Sequence, residues 1–481
     1  MTNPNIMSDP KKFLIGGQWR AGQKTFELRF PYTGELVAEI YTPSDDDLEA
    51  AVQAAQRGAR IMRKMPAHER SAILRRLHAQ MEARTEDLVN ALVLEGGKTK
   101  KAARGEVARA KQTVFVASEE ARRIPGEVIN MDWTKDGENR IGIVRRFPLG
   151  IILCIAPFNY PLNLACHKVA PALAAGNAFI LKPASATPLS ALLLGEMLLE
   201  AGVPPEAVNV VTCSGAQAEK LVRDERIAMF SFTGSSEVGW HLKRVCGRKR
   251  SALELGGNAA AIVHEDANIG YAAKRIAFGG FTNAGQNCIS VQRVLIHRPI
   301  YNEAVETLLD EINALKVGDP RLEETDVGPM ITERAAMQAE AWVDEALTQG
   351  ARKLLGNGRQ GALLHPTVLS DVTREMKVSC QEVFAPVLTV SPYDTFEEAI
   401  ELANSTDYGL QGGVFTRDMG RIMKAYDEIE VGGLQVNDVS TFRVDHMPYG
   451  GVKASGMGRE GVKYAIEEMT EPKLMVINLN A

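Results

Sequence analysis

The chain has 481 residues, is 45% hydrophobic and 24% charged, and carries a formal net charge of -5. That length exceeds what one hydrophobic core serves, so two or three domains are expected, and the balance excludes a disordered or fibrous chain. No basic field is present, which argues against nucleic acid as a partner; the longest basic cluster, Arg248-Lys249-Arg250, reads as a solvated face.

No window approaches the ~18 uncharged apolar residues that span a bilayer, so no membrane partner is expected. The start, MTNPNIMSDPKKF, has no apolar h-region, and no signal peptide is expected. Six cysteines without a C-x-x-C pair point to free thiols in a reducing cytoplasm. The eight histidines show neither H-E-x-x-H nor zinc-type Cys/His spacing, so no metal is expected.

Along the chain, the first third is helical. Asp45 to Met62 starts with acidic residues and continues with alanine-rich 3.6 periodicity. Ala67 to Glu82, Thr85 to Glu95 and Glu106 to Arg123 follow in the same style. Met131 to Phe147 has the look of a hairpin turning at Asp136-Gly137. From Gly150, short β-rich runs (GIILCIAP, NAFILKPA, AVNVVTC, MFSFTG) alternate with helices, including Leu189 to Ala201 and Ala216 to Val222. This alternation predicts an α/β fold with right-handed crossovers and a mostly parallel sheet. Helices after Asn268 and Ile300, with strands near Arg293, Gly412 and Gly432, predict a second α/β unit. The terminal KLMVINL reads as a strand that adds to the hairpin or to a neighbouring subunit.

Two motifs match in letters only. Gly356 to Gly361, GNGRQG, has the dinucleotide spacing, but ALLHPTVL follows where a helix must aim its N–H groups at a pyrophosphate. It reads as a glycine-rich surface loop. Gly96-Gly97-Lys98-Thr99 resembles the tail of a phosphate loop, yet position 92 is leucine and a helix precedes it. It reads as a helix C-terminus.

The informative stretch is GFTNAGQNCIS, residues 280–290. A cysteine is most often a small buried hydrophobe, and Cys154, Cys166 and Cys213 fit that reading. Cys288 differs, because Asn283, Gly285, Gln286, Asn287 and Ser290 leave room for a substrate. A thiol becomes a nucleophile only as a thiolate with helpers and access. Three other stretches are equally unusual. APFNYP places Asn159 between two prolines past a buried strand, where its amide can donate into a cleft. LELGGN places Glu254 between apolar residues and a glycine pair, the setting of a poised base. SCQEVFAP places Glu382 beside Phe384 and ahead of a proline.

Together PFNYP, LKPAS, SFTGSSEVG, LELGGN, GQNC, EVFAP and PYGGVKASGMGREG resemble the aldehyde dehydrogenase superfamily, of the non-phosphorylating NAD(P)-dependent type, over essentially the whole chain. The resemblance implies an aldehyde dehydrogenase-like fold: a Rossmann-like cofactor domain (1–127 and 147–255), a catalytic α/β domain (256–455), and a bridging hairpin and tail (128–146 and 470–481) for homodimers or homotetramers. It implies Cys288 as nucleophile, Asn159 with the Cys288 N–H as oxyanion hole, and Glu254 as activator of the water that hydrolyses a thioester. It places Lys182, Ser185, Gly215, Gly234, Ser235, Pro157, Leu255, Glu382 and Phe384 around the cofactor.

Relatives restricted to NAD carry glutamate where this chain has Ser185. Serine removes a repulsion of the 2′-phosphate, which predicts that NADP is accepted and preferred, with NAD also used. The stretches FNYPLNLA, EVARA and RVDHMPYGGVKASGMGREG are similar to non-phosphorylating glyceraldehyde-3-phosphate and lactaldehyde dehydrogenases. Arg109, Tyr160 and Arg443 are then candidates to bind an anionic tail, either phosphate, sulfonate or carboxylate. A solvated helix face for Arg109 and a loop ion pair for Arg443 are the plain alternatives. Asn287 replaces a further arginine, leaving lactaldehyde-like substrates open. His167 is either a substrate contact or a packing residue, and Ile289 is an apolar wall of the tunnel. A succinate-semialdehyde-type or broad-specificity enzyme is the nearer alternative. A cysteine hydrolase would need a histidine in a motif-like setting, and none is present.

Overall fold

The computed structural model describes residues 9–480, so most of the stretch read for a signal peptide lies outside the described residues. The helical first third forms as four helices, Asp45–Lys64, Ala67–Ala83, Thr85–Gly96 and Lys100–Glu120. Ser44 and Asp47 close a capping box on the first, whose opening turn holds three aspartates against the helix dipole. The fourth begins six residues earlier than its periodicity suggests, because Thr99 caps it by accepting from the Ala102 N–H at 3.4 Å. Gly97 ends the third helix with φ 63°, the left-handed geometry expected at that glycine pair.

An eight-stranded sheet follows. Its order is Gln18–Arg20, Phe13–Ile15, Val208–Val210, Ala178–Lys182, Ile151–Ile155, Met229–Thr233, Arg250–Glu254 and Gly456–Met457. The five central strands run parallel, and Gly456–Met457 joins Arg250–Glu254 antiparallel. Strands buried on both faces read as near-continuous apolar runs, as IILCI and AFILK do. After Gly456–Met457, the helix Val462–Glu468 packs Val462 and Ile466 into this core.

The second sheet has seven strands, in the order Arg352–Leu355, Thr367–Ser370, Val387–Tyr393, Val291–His297, Ala259–Val263, Gln411–Phe415 and Gly433–Val436. All its pairings are parallel except the Arg352–Leu355 edge. GNGRQG lies outside both sheets' cofactor edges, in a small ribbon formed by Arg359–Gln360 and Leu363–Leu364.

The hairpin differs from its expected position. Its strands are Glu127–Asn130 and Arg140–Pro148, and residues 131–139 form the connection, with a 3₁₀ turn at Lys135–Gly137. Within that connection the chain packs closely on itself, since a Cβ at Gly137 would lie 1.7 Å from the Met131 carbonyl oxygen. The terminal strand Thr470–Asn478 pairs with Arg140–Pro148 in the same chain over nine residues.

Candidate active site

The carboxyl ends of the parallel strands carry the residues singled out from the sequence. Lys182 ends Ala178–Lys182, Glu254 ends Arg250–Glu254, Gly234 follows Met229–Thr233, and Pro157 and Asn159 follow Ile151–Ile155. This edge is where open α/β sheets bind ligands.

Cys288 stands on a turn with unusual backbone. The helix Ile269–Phe281 stops, and Asn283, Ala284 and Gly285 take φ values of 53°, 54° and 68°. Left-handed non-glycine residues cost energy and persist only where their surroundings hold them. Here the hold is a set of amide hydrogen bonds. Asn159 Nδ2 donates to the Gln286 carbonyl at 3.0 Å, and Asn283 Nδ2 donates to the Asn159 carbonyl at 3.2 Å. Gln286 Nε2 donates back to the Asn283 carbonyl at 3.2 Å. Gly285 has no alternative, since a Cβ would lie 2.1 Å from the Ala385 carbonyl oxygen. Asn287 Oδ1 accepts from the Ile289 N–H at 3.3 Å, and Ile289 packs with Leu410 and Tyr449 against Cys288.

The half-buried Cys288 thiol lies 3.1 Å from the Tyr449 hydroxyl. Burial pushes the thiol up to about 12, while the Tyr449 hydroxyl pulls it down. Glu254 is 3% exposed and neither carboxyl oxygen has a hydrogen-bond partner. Burial raises it well above the usual carboxylate range, and the nearby Glu460 adds to the rise. Glu460 is opposite in character. Burial alone would raise it, but Lys168 and Arg443 outweigh burial and bring it down to about 2. Lys168 Nζ donates to Glu460 at 2.9 Å and to Thr233 at 2.7 Å.

Gly256 and Gly257 form a wedge between Glu382 and Cys288. The Gly257 N–H donates to Glu382 Oε1 at 2.9 Å. A Cβ at Gly256 would lie 2.2 Å from Glu382 Oε2, and one at Gly257 would lie 2.2 Å from the Cys288 carbonyl oxygen. Burial raises Glu382 to about 7. Phe384, itself at φ 52°, meets Phe158 edge-on at 5.8 Å. Leu255 is buried and donates its N–H to the Ser455 carbonyl at 3.0 Å.

On the cofactor side of the edge, Ser185 is exposed on the loop after Lys182. Burial lowers Lys182, which no carboxylate perturbs. Ser235 caps the helix Ser236–Val245, and Gly215 opens the helix Gly215–Arg223. The Gly234 N–H donates to the Glu254 carbonyl at 3.1 Å, tying the cap to the strand Arg250–Glu254.

The expected anion ligands turn partly inward. Arg109 Nη2 donates to Asp445 Oδ1 at 2.8 Å and keeps 30% of its side chain exposed. Arg443 pairs with Glu460 at 3.0 Å, and its guanidinium lies 3.6 Å over the Tyr449 ring. His167, left open between substrate and packing, is 1% exposed and points its Nε2 at Asp445 Oδ1, 2.8 Å away. Its helix, Pro161–Ala175, is buried all round, and its Nε2 also lies 3.4 Å from Arg443 Nη2. Tyr160 stacks beneath the Lys98 ammonium at 3.8 Å.

Sequence reasoning missed Tyr449, Asp445, Glu460 and Lys168 as site residues. Tyr449 and Glu460 lie within PYGGVKASGMGREG, and Asp445 lies just before it. A lysine inside the apolar run PLNLACHKVAPALAA was the signal for Lys168, because a buried charge requires a partner.

This fold, with a thiol beside an amide-braced turn and an unpartnered buried carboxyl, has counterparts among known proteins. The Aldehyde dehydrogenase family matches residues 19–475, and the chain belongs to that family. It is 45% identical over 466 residues to 3-sulfolactaldehyde dehydrogenase of Priestia aryabhattai, covering 97% of each chain. It superposes with TM-score 0.96 on aldehyde dehydrogenase 21 from Physcomitrella patens in complex with succinate, at 41% identity, covering 98% of this chain and 99% of that one. Glyceraldehyde-3-phosphate dehydrogenase GapN from Methanocaldococcus jannaschii, complexed with NADP, matches with TM-score 0.91 at 38% identity, covering 95% and 100%. Aldehyde oxidation is therefore the enzyme class. Among the described residues no helix is long and apolar enough to cross a membrane.

Proposed function

We propose that this enzyme oxidises a short aldehyde with an anionic tail, a three-carbon sulfonate foremost, to its acid, preferring NADP over NAD. The observation that carries the substrate class is a charge imbalance beside Cys288. Arg109, Arg443 and Lys168 form ion pairs with only two carboxylates, Asp445 and Glu460, while the Glu254 carboxyl, pushed upward by burial, has no hydrogen-bond partner. The ion pairs thus hold one more cation than carboxylates, next to the tyrosine that touches Cys288. The 45% identity to a sulfolactaldehyde dehydrogenase supports the same tail.

The residues divide the chemistry as follows. Cys288, as thiolate, adds to the aldehyde carbon. Asn159 Nδ2 and the Cys288 N–H, which makes no backbone hydrogen bond, stabilise the alkoxide. A nicotinamide cofactor, when held there, would supply the hydride acceptor. Collapse of the alkoxide expels hydride and leaves a thioester on Cys288. Glu254, once ionised, takes a proton from water, whose oxygen attacks the thioester and frees acid and thiolate. Glu382 and Phe384 are assigned to the nicotinamide end. Lys182 and Ser185 are assigned to the ribose and its 2′-phosphate, and the helix starts at Ser235 and Gly215 to the pyrophosphate and adenine side. The unpartnered lysine and uncovered helix start at one sheet edge fit a phosphorylated ligand. NADP in the similar GapN structure supports the preference.

The cofactor unit is assigned to 1–127 and 147–255, completed by 456–469, with 256–455 catalytic. Exposed Leu474, Met475, Val476 and Ile477 on the terminal strand support a homodimer or homotetramer, and six free cysteines support a cytoplasmic setting.

The test is initial rate with NADP for sulfolactaldehyde, lactaldehyde and succinic semialdehyde at equal low concentration. An advantage of tenfold or more for the sulfonate, about 1.4 kcal/mol of transition-state binding, is expected, and Arg109→Met should remove it. Equal rates for lactaldehyde would overturn the anionic-tail reading. Because aldehyde dehydrogenase 21 was seen with succinate, a carboxylate tail is the second reading, and succinic semialdehyde winning would select it.

A further inference from the structure

Lys98, in the stretch Gly96-Gly97-Lys98-Thr99, is buried between two helices. Gly97 ends the first and Thr99 caps the second, and Lys98 between them is 4% exposed. Its ammonium donates to Glu106 Oε2 and lies over the Tyr160 ring. Glu106, on the helix Lys100–Glu120, is 1% exposed. A buried charge persists only with partners, and Glu106 has them on both oxygens. Its Oε1 accepts from the Leu162 N–H at 2.9 Å and from the Asn163 N–H at 3.1 Å.

Those two N–H groups belong to the first turn of Pro161–Ala175. A helix start leaves its first N–H groups without an internal partner, and Ser, Thr, Asp or Asn at the cap usually serves them. Here the cap is Tyr160, whose side chain makes no such bond, and Pro161 has no N–H to give. Glu106 supplies the missing acceptor from another helix, with its negative charge at the positive end of the helix dipole. Further along the same two helices, Thr113 Oγ1 meets Asn163 Oδ1 at 2.9 Å, which holds them in register.

The residue before the cap is Asn159. The Tyr160 N–H, which can only donate, donates to Asn159 Oδ1 at 3.1 Å. That bond fixes which end of the amide faces the helix. It leaves Nδ2 directed at the Gln286 carbonyl, 3.0 Å away and two residues before Cys288. A rotation of the first helical turn would therefore swing Nδ2 away from the Cys288 turn.

We infer that Glu106, neutralised by Lys98, is a positioning residue: it holds the start of Pro161–Ala175 and through it aims the Asn159 amide at the Cys288 turn. This rests on the oxyanion role proposed for Asn159. Arg109 stands one turn further along the Glu106 helix, so the proposed tail contact and the oxyanion donor share one support. The 56 residues between Glu106 and Leu162 hide the relation from any local motif.

The test is cofactor-free hydrolysis of p-nitrophenyl acetate, which needs a thiolate and an oxyanion hole but neither a hydride acceptor nor an anionic tail. Two double variants of the full chain are compared. Lys98→Met/Glu106→Gln keeps an oxygen acceptor for the Leu162 and Asn163 N–H groups. Lys98→Met/Glu106→Met has the same length and no acceptor, and neither variant leaves a buried charge unpaired. Circular dichroism verifies that both fold. The glutamine variant should keep most of the parental kcat. The methionine variant should lose roughly tenfold or more, towards the ~10²-fold cost of a 1 Å displacement, with KM unchanged. Alkylation of Cys288 by iodoacetamide, which forms no oxyanion, should be equal in both. In an Asn159→Ala background the two should hydrolyse at the same rate, because the group that Glu106 aims is gone. Glu106→Asp, which keeps a charge for Lys98 but withdraws the acceptor by one methylene, is the milder variant and should lose activity in kcat alone. Equal kcat in the two folded double variants, the same gap without Asn159, or a parental kcat in Glu106→Asp would overturn the assignment. An Asn159→Ala enzyme as fast as the parent would instead overturn the oxyanion role itself.

Discussion

The Tyr449 hydroxyl lies 3.1 Å from the Cys288 sulfur, and the next residue, Gly450, runs past Glu254, where a Cβ would lie 3.0 Å from Oε1. One dipeptide from the late loop therefore spans from Cys288 to Glu254. Neither partner is near it in sequence.

That contact pulls the Cys288 thiol down against the larger upward push of burial. A donor to a charged acceptor contributes about 1.5–3 kcal/mol. Tyr449→Phe should therefore lower the rate at neutral pH by roughly tenfold or more. The loss should shrink as pH rises, because the variant thiol ionises later. Alkylation of Cys288 by iodoacetamide across pH measures the shift directly. An unchanged alkylation profile would mean the hydroxyl only packs.

Glu254 and Cys288 are both shifted upward, Cys288 to about 12. An acid whose pKa is raised gives up its proton at higher pH, so the reactive anions accumulate as pH climbs. Steady-state rate should rise from pH 6 to 9, with no acidic optimum. Glu254→Gln should leave a burst of reduced cofactor near one equivalent, followed by a stall, since acylation survives while hydrolysis fails.

Glu460 raises Glu254 by repulsion and neutralises Lys168 and Arg443. Glu460→Gln removes a negative neighbour and uncovers two cations, and both changes favour the Glu254 anion. The alkaline limb of the hydrolysis step should move to lower pH. Stability should fall by about 3–5 kcal/mol, because buried cations lose their partner. Stopped-flow deacylation and a denaturant titration separate the two effects.

Ser185→Glu should reverse cofactor preference. A carboxylate on that exposed loop repels a 2′-phosphate and accepts from a 2′-hydroxyl. The NADP Michaelis constant should rise at least tenfold, about 1.4 kcal/mol, while that for NAD falls. Equal Michaelis constants in the parent would already contradict the preference.

Gly257→Ala should disable the enzyme without touching any reactive atom. Its Cβ would lie 2.2 Å from the Cys288 carbonyl oxygen, a backbone atom that yields only by moving the nucleophile. A shift of about 1 Å costs on the order of 10²-fold in rate. Gly105→Ala, where a Cβ meets nothing, is the matched control.

Much of this protein is readable in its letters because the relevant physics is local. Alternating IILCI, AFILK and MFSFT runs with helices specify a parallel sheet whatever the rest does. Cys288, Asn159 and Glu254 stand out because small, polar or glycine neighbours leave space that a core would fill. Ionisation and pairing are not local. That Arg109 and Arg443 each meet a carboxylate, that His167 turns to Asp445, and that Tyr449 reaches Cys288 depends on segments separated by 17 to 336 residues. The hairpin moved for a similar reason, since nine residues of terminal strand determine where Arg140–Pro148 must run. Sequence alone determined which chemistry was available. The tertiary structure decided which groups are charged, because burial and partner distance set each pKa, and both exist only once the chain has folded.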